Sequence, residues 1–533
     1  MYQVDKYRII IGSVRVQVLS ETLLRLEEKG VKGFEDRVTF TVVNRKWQAV
    51  KFKAAKKEKH VILSTNNYIV KLPYPCFSLK GVQVLLPDGK VIYEHNGTLP
   101  DNNYLPSPGV LSPVWIMADA PRIVPPEWEA TPAPRKTMQQ NSGWDITNNT
   151  PDIYIFIPGK AGYPQLRKDF LTLTGRIPIP PLFTLGLIDS KYHPYSEQTA
   201  LETIDTYRKK CIPLDVFVVD TDWRVGASHG YEINTKLFPN MKRFITEAHK
   251  RNVKLMFNDH PEPICEAALS DKELRYRKKG LFSLLKLGAD IWWYDRNWDV
   301  GLKEPHPGMR KEVWGMRLYH DITRQFRPKR RPLIMSNIDG IDHAHKRYAS
   351  HPSAHRYPIW WTGDTISEWE YLKRGIENGV DCGVLSLLPY VSEDLGGHCG
   401  TPSAELYTRF VQYGALSPIC RLHCTQGESR YPWAFGKDTE KIVASYIKLR
   451  YRLLPVIYSA ARQAHEDGTP VLRRCDLYWY NHKKASTNSQ YMLGDDLLVA
   501  PIYTTMQPIL ETISSKFLKT PDSKTGLLGE YFE

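Results

Sequence analysis

Between residues 182 and 467 the chain passes eight times through one unit: a short apolar run, a polar loop and a helical stretch. The runs are LFTLGLID (182–189), LDVFVVD (214–220), VKLMFND (253–259), ADIWWYD (289–295), PLIMSN (332–337), YPIWWTGD (357–364), VLSLLPY (384–390) and SPICRLH (417–423). Strands that are apolar on both faces need cover on both sides, and alternation with amphipathic helices supplies it in a parallel sheet. The helices carry the matching stripe. Met241, Phe244, Ile245 and Ala248 recur at i, i+3, i+4 and i+7, and Leu406, Phe410 and Tyr413 do the same further on. Eight such units over about 290 residues predict a (β/α)8 barrel, a fold of ~250 residues that tolerates insertions.

The flanks read as β structure. Short alternating runs such as Arg15–Leu19 and Val38–Val43 are separated by turn clusters such as Pro87-Asp88-Gly89-Lys90, the pattern of a β-sandwich. After a last helix over 438–467, β-like runs resume through Leu497–Ile502. The expected fold is α/β: an N-terminal β-sandwich over 1–165, a (β/α)8 TIM barrel over 166–468, and a C-terminal β region over 469–533. That last region ends on GLLGEYF as though truncated, so a longer natural chain is expected.

The 42% apolar and 11% aromatic content, with 14 Trp and 30 Tyr, excludes a disordered, collagen-like or small disulfide-stapled chain. No uncharged apolar run reaches the ~18–20 residues of a membrane helix, and no membrane association is expected. A net charge of +14 raises the possibility of a polyanion-binding surface at Lys51–Lys59 or Arg327–Arg331. No nucleic-acid motif accompanies it, so solvated faces of a basic enzyme are the preferred reading and no nucleic-acid partner is expected. The eight Cys lack CxxC or zinc-finger spacing and read as reduced thiols. The N-terminus has no apolar signal core: a cytoplasmic location is expected if it is native, a secreted one if a leader was trimmed.

Active sites of such barrels lie at the C-terminal ends of the strands. Asp189, Asp220, Asp259, Asp295 and Asp364 fall there, with Asp222 and Asp394 just beyond. One Asp at a strand end caps the next helix often enough; this many in one mouth repel each other and raise some of their pKa values, a cost that points to function. Trp292-Trp293 and Trp360-Trp361 precede two of the acids. Barrel filling explains half of each pair, since successive residues point to opposite faces. The other half forms apolar walls that pack on sugar rings and raise the pKa of a neighbouring acid. Two walled carboxylates without a nucleotide or metal motif favour glycosidic chemistry.

With these blocks in place the chain resembles glycoside hydrolase family 31, which holds retaining α-glucosidases, α-xylosidases and α-galactosidases. The likeness rests on IPIPPLFTLG (177–186), PLDVFVVDTDW (213–223), LFPNMKRF (237–244), WYDRNW (293–298), RYPIWWTGDTISEWEYLK (356–373), EDLGGH (393–398), LYTRFVQYGALSPICRLH (406–423) and GDDLLVAPI (494–502). The resemblance implies Asp295 as nucleophile and Asp364 as acid/base. It also implies Asp220 and His423 as sugar-binding residues and Trp361 as a subsite wall, and Asp222, Trp293, Arg296, Asn337 and Asp394 complete the expected substrate-binding set. The terminal GLLGEYF is similar to the opening of a protective-antigen-type carbohydrate-associated domain.

Two departures concern the sugar. The α-glucosidases carry Asp-Met-Asn-Glu where this chain has Asp295-Arg296-Asn297-Trp298, and their strand-5 Arg is replaced by Asn337. Arg296 or Arg356 is expected to bring a charge from another direction. The expected activity is a retaining exo-α-glycosidase acting on a carbohydrate, α-glucosidase-like, with α-galactosides and α-N-acetylgalactosaminides as alternative substrates. A transglycosylase or lyase, a catalytically silent sugar-binding module and a polyanion-binding protein are the competing readings. No metal or cofactor is expected, and His343, His345, His351 and His355 are read as structural or substrate-contacting. The sequence leaves the oligomeric state open.

Overall fold

The computed structural model describes residues 2–99, 115–119, 123–124, 145–146, 150–158, 162–226, 230–265, 267–295, 302–305, 309–338, 351–479, 482, 484–485, 487 and 490–505. Its centre is an eight-stranded parallel sheet whose strands we number along the chain. They are β1 (Leu187–Asp189), β2 (Val216–Val219), β3 (Lys254–Asp259), β4 (Ile291–Tyr294), β5 (Ile334–Asn337), β6 (Trp360–Trp361), β7 (Val391–Ser392) and β8 (Cys420–Leu422). Sequential neighbours pair from β1 to β7, and β8 returns to pair with β1. The remaining seam, between β7 and β8, is joined by a single parallel bridge from Leu395 to Leu422, so the barrel is nearly closed.

The helices that cover it are α1 (Glu197–Lys209), α2 (Met241–Lys250), α3 (Asp271–Leu287), α4 (Lys311–Phe326), α5 (Trp369–Leu385), α6 (Ala404–Ala415) and α7 (Lys437–Asp467). Each buries the stripe its spacing predicts: Met241, Phe244, Ile245 and Ala248 are all core residues, as are Leu406, Phe410 and Tyr413. Ser196, Asn240, Ser270 and Ser403 cap α1, α2, α3 and α6 by accepting a backbone N–H three residues on, which fixes where each helix starts. Arg450 of α7 is buried and donates to the carbonyls of Leu185, Gly414, Ala415, Ser417 and Pro418. It thereby satisfies the open C-terminal end of α6 and ties it to the base of β1.

A six-stranded antiparallel sheet and a five-stranded antiparallel sheet precede the barrel. They share a core of Ile9, Val16, Leu26, Val61, Val70 and Ile153, whereas Leu23, Trp115 and Phe156 of the six-stranded sheet join the barrel's core. A three-stranded antiparallel sheet of Leu472–Arg474, Tyr491–Leu493 and Leu497–Val499 follows α7. The terminal GLLGEYF lies outside the described residues.

Two strand expectations fail. Val38–Val43 forms no strand: Thr39 N–H closes a turn onto Val42 O, Val43 N–H bonds Leu173 O, and Phe40 lies beneath the guanidiniums of Arg317 and Arg356. The segment docks the N-terminal sheets on the barrel and pairs with neither sheet. The seventh strand is Val391–Ser392, not 384–390. Helix α5 runs on through Leu385 and the chain then turns at Leu387, whose φ is +50°, because a buried apolar run serves a helix end as well as a strand.

Candidate active site

Alternation along each strand decides which polar groups enter the mouth. On β4, Trp292 points outward, its Nε1 donating to Thr323 of α4 at 3.1 Å, and Trp293 points inward. On β6, Trp360 Nε1 donates to Ala354 O, while Trp361 Nε1 donates to Asp394 Oδ1 at 2.8 Å. The inward rings of Trp293 and Trp361 meet edge to face, and His423 lies 5.3 Å from Trp293.

The same rule divides the acids. Asp189 receives Tyr207 OH of α1 at 2.9 Å. Asp259 is gripped by Arg224, Tyr231 and Tyr319, and Arg224 holds its carboxyl below the usual range against the opposing effect of burial. These two acids therefore pin strands to the helical layer, contrary to the expectation that they share the mouth. The residues beside them turn in: Ser190, Asn258 and His260.

Asp295 follows β4 and is buried. Its Oδ2 accepts from Asn258 Nδ2 at 3.1 Å and lies 2.8 Å from His260 Nε2. Its own backbone N–H bonds Asp259 O. Asp364, after β6, has a different setting: burial, then the negative charges of Asp394 and Asp295, push its carboxyl up to about 8. His398 Nδ1 stands 3.7 Å from its Oδ1. Asp220 caps the turn after β2 by accepting Thr221 N–H, and burial raises it to about 7. Asp222, one turn on, is less buried, and its carboxyl is also raised by burial, with His193 opposing.

Asp394 is fully buried between Arg421, Trp361 Nε1 and Thr365 N–H. Arg421 also reaches Ser392 Oγ at 3.0 Å and sits over the rings of both Trp293 and Trp361. His423 places Nδ1 2.7 Å from Ser190 Oγ and Nε2 2.9 Å from His398 Nδ1, and burial drives its pKa well below the ordinary value. Asn337 ends β5 in register with Trp361. Its Oδ1 and Trp293 Nε1 are buried without a hydrogen-bond partner among the described residues. Such orphaned groups in a cleft are the places where a hydroxyl-rich ligand would bond.

Among the described residues, Asp364, Asp394, His398 and His423 bring one donor atom each within 4.8 Å of one another and could hold a metal ion. A cation there would compete with Arg421 for Asp394; in the structure His398 and His423 are hydrogen-bonded to each other and Asp394 to Arg421.

Of the expected site residues, nine are in the described mouth or at its rim, and Arg296 lies outside the described residues. The charge expected from Arg356 does not reach the site: its guanidinium donates to Phe40 O. Likewise His355 bonds Gly175 O at 2.7 Å, and His351 packs edge-on to Phe40. Burial lowers both to about 3, so they serve the contact with the N-terminal sheets. His343 and His345 lie outside the described residues. The basic run at 327–331 is at the opposite end of the barrel, where Arg327 donates to Ala289 O and Leu285 O, and Arg331 to Ile179 O.

Sequence reasoning passed over Asn258, His260, Ser190, His398 and Arg421. Alternation was the available signal: in Asn258-Asp259-His260 and Arg421-Leu422-His423 the first and third residues share a face.

The model of the glycosyl hydrolases family 31 TIM-barrel domain matches residues 177–276 and 268–460. The chain belongs to glycosyl hydrolase family 31. It is 27% identical over 406 residues to alpha-glucosidase 2 of Bacillus thermoamyloliquefaciens, covering 66% of this chain and 50% of that one. The alpha-xylosidase of Emericella nidulans is also 27% identical over 406 residues, 66% of this chain and 49% of its own. The chain thus spans about half the length of these curated relatives. Among solved structures, a family 31 dextranase of Flavobacterium johnsoniae complexed with glucose superposes with a TM-score of 0.72 at 18% identity, over 95% of this chain and 74% of that one. An alpha-xylosidase of Xanthomonas citri gives 0.72 at 15% identity, over 94% and 82%. These likenesses carry the fold. No helix among the described residues is long and apolar enough to cross a membrane.

Proposed function

We propose that the chain is a retaining exo-α-glycosidase in which Asp295 is the nucleophile and Asp364 the acid/base. The observation that carries this reading is the opposite setting of the two carboxyls. Asp295 sits under two partners, Asn258 Nδ2 and His260 Nε2, which hold its Oδ2 in place. Asp364 is pushed up to about 8 by burial and neighbouring charge, so at neutral pH it holds the proton that a leaving oxygen needs. Asp295 attacks the anomeric carbon as Asp364 protonates the departing oxygen, giving a β-linked glycosyl-enzyme. Water, deprotonated by Asp364, then displaces Asp295 and restores the α configuration.

Family membership supports the reaction class, and the orphaned Trp293 Nε1 and Asn337 Oδ1 are suited to sugar hydroxyls. We take the substrate to differ from a maltose-type α-glucoside, because neutral Asn337 stands where the α-glucosidases carry Arg; α-galactosides and α-N-acetylgalactosaminides are the replacements we favour. A screen of nitrophenyl α-glycosides tests the activity, and NMR of the first-formed sugar tests the mechanism. An early α-anomer is expected; an early β-anomer rules out Asp295 as nucleophile.

A further inference from the structure

One of the two groups that hold the nucleophile is a histidine. His260 follows β3 and shares its inward face with Asn258, and both place their donors on Oδ2 of Asp295. That leaves Oδ1 as the attacking atom. Three charged groups face the imidazole: Asp295 from the end of β4, Asp220 from the end of β2, and Arg224 from the turn after β2. The Arg224 guanidinium is bonded to Asp259 and to the backbone carbonyl of His260. The ring therefore meets two carboxylates, against one cation that is already paired.

We propose that His260, as an imidazolium, holds Oδ2 of Asp295 through the reaction and chiefly assists the second step, when the nucleophile leaves. The inference rests on the retaining mechanism proposed above. In that step the bond from Oδ1 to the anomeric carbon breaks and its electron pair returns to the Asp295 carboxylate. The water oxygen bonds the anomeric carbon and its proton passes to Asp364. His260 keeps its own proton throughout.

The physical asymmetry is simple. A cationic donor on Oδ2 lowers the basicity of the attacking carboxylate, which slows the first step slightly. The same donor stabilises the charge that reappears on that carboxylate as it leaves, which speeds the second. Burial opposes protonation of the ring, but the Asp295 and Asp220 charges and the hydrogen bond to Asp295 outweigh it and raise the imidazole to about 9. The cation is thus present across the neutral range. His260 is therefore a positioning residue with a kinetic signature.

The test is steady-state and pre-steady-state kinetics on whichever nitrophenyl α-glycoside the wild type turns over, with His260→Ala and His260→Gln. In His260→Ala, loss of the donor should cut kcat about 100-fold and lower KM in parallel, because the glycosyl-enzyme accumulates. A burst of nitrophenol equal to the enzyme and one added glycosyl unit in the intact mass should accompany it. His260→Gln keeps a neutral donor and should show the same signs at smaller amplitude, so it carries the test if the Ala chain does not fold. A fall in kcat with KM unchanged or raised, no burst and no adduct in either variant overturns the inference alone. A wild type inactive on every α-glycoside overturns the retaining reading, and this inference with it.

Discussion

The indole rings of Trp293 and Trp361 cross at 90° with centroids 5.0 Å apart, and the Arg421 guanidinium lies 5.0 Å from one ring and 5.4 Å from the other. One cation from β8 thus steadies two walls from β4 and β6, and its charge is returned to Asp394 beyond β7. In the proposed reading these rings form the wall that faces the substrate. Trp361→Phe keeps an aromatic face but deletes the bond from Nε1 to Asp394. It should lower kcat/KM about 10-fold, the size of one buried hydrogen bond to a charged group. Trp361→Ala, which also removes the ring, should cost at least ten times more. Equal losses in the two variants would show that the ring face contributes nothing.

Arg421 gives a stability test at the same junction. Both Arg421 and Asp394 are wholly buried, so Arg421→Met strands a carboxylate in the core. Destabilisation of about 3–5 kcal/mol is expected, read by chemical denaturation. Adding Asp394→Asn removes the stranded charge and should recover part of that loss. A double variant no more stable than the single one would show that Asp394 had already taken up a proton.

The barrel was legible in the sequence because its period is strong: eight runs, and helices whose stripes all ended buried. The positions of the two expected catalytic acids were legible too, since Trp-x-Asp after β4 and Trp-Thr-Gly-Asp after β6 place them at strand ends. What could not be read was direction. Asp189 and Asp259 look like their neighbours in the sequence, yet each lies one residue out of phase and meets a helix tyrosine. A residue's face depends on register, and register is set by the neighbouring strands. The seventh strand was misplaced for a related reason: Val384 to Tyr390 is buried throughout, and burial alone does not separate a helix end from a strand. Arg356 was expected to serve the sugar, but it is spent on Phe40, 316 residues away in the chain, a contact that no local pattern announces.

The raised carboxyl of Asp364 fixes a pH dependence. Burial is the leading cause, reinforced by Asp394 and Asp295. The proton is held below about pH 8, so kcat/KM should fall as pH rises through that value, because the leaving oxygen loses its donor. Stability runs in the same direction. The folded pKa lies above the ordinary 3.8, so folding takes up a proton between about pH 4 and 8, and wild-type stability declines across that window as pH rises. Asp364→Asn carries no titrating proton. Its advantage over the wild type should be absent near pH 4 and grow to ~1–2 kcal/mol at pH 8, after allowance for partial solvent screening. Thermal unfolding at the two pH values checks it, and a constant difference would place the raised pKa elsewhere.

Leaving-group chemistry separates the two acids. Asp364→Ala should lower kcat/KM for oligosaccharides and alkyl glycosides by at least about 1,000-fold but spare kcat/KM for glycosyl fluorides, whose departing fluoride needs little protonation. Asp295→Ala should abolish both, because the covalent bond has no other partner. Equal loss on both substrates in Asp364→Ala would mean that the acid lies elsewhere. Asp394 is a poor substitute, since its carboxyl is committed to Arg421, Trp361 and Thr365.

In the proposed reading, Asn337 is the residue that decides the sugar. An Arg there would present a fixed fork of donors and a permanent charge; the amide is shorter, neutral, and both donor and acceptor. In the structure its Oδ1 is buried and unsatisfied among the described residues, so it asks for a hydroxyl or amide N–H at one defined place. A site of that kind rejects an epimer strongly, since a misplaced hydroxyl leaves buried atoms unpaired on both sides. The expectation is a kcat/KM for nitrophenyl α-galactoside or α-N-acetylgalactosaminide at least about 100-fold above that for the α-glucoside, a difference of ~3 kcal/mol. Asn337→Ala should narrow this ratio by lowering the preferred sugar more than the glucoside, because only the preferred sugar uses the amide oxygen. A wild-type preference for glucose, or a ratio unmoved in Asn337→Ala, would show that Asn337 does not read the sugar and that selectivity comes from other residues of the mouth.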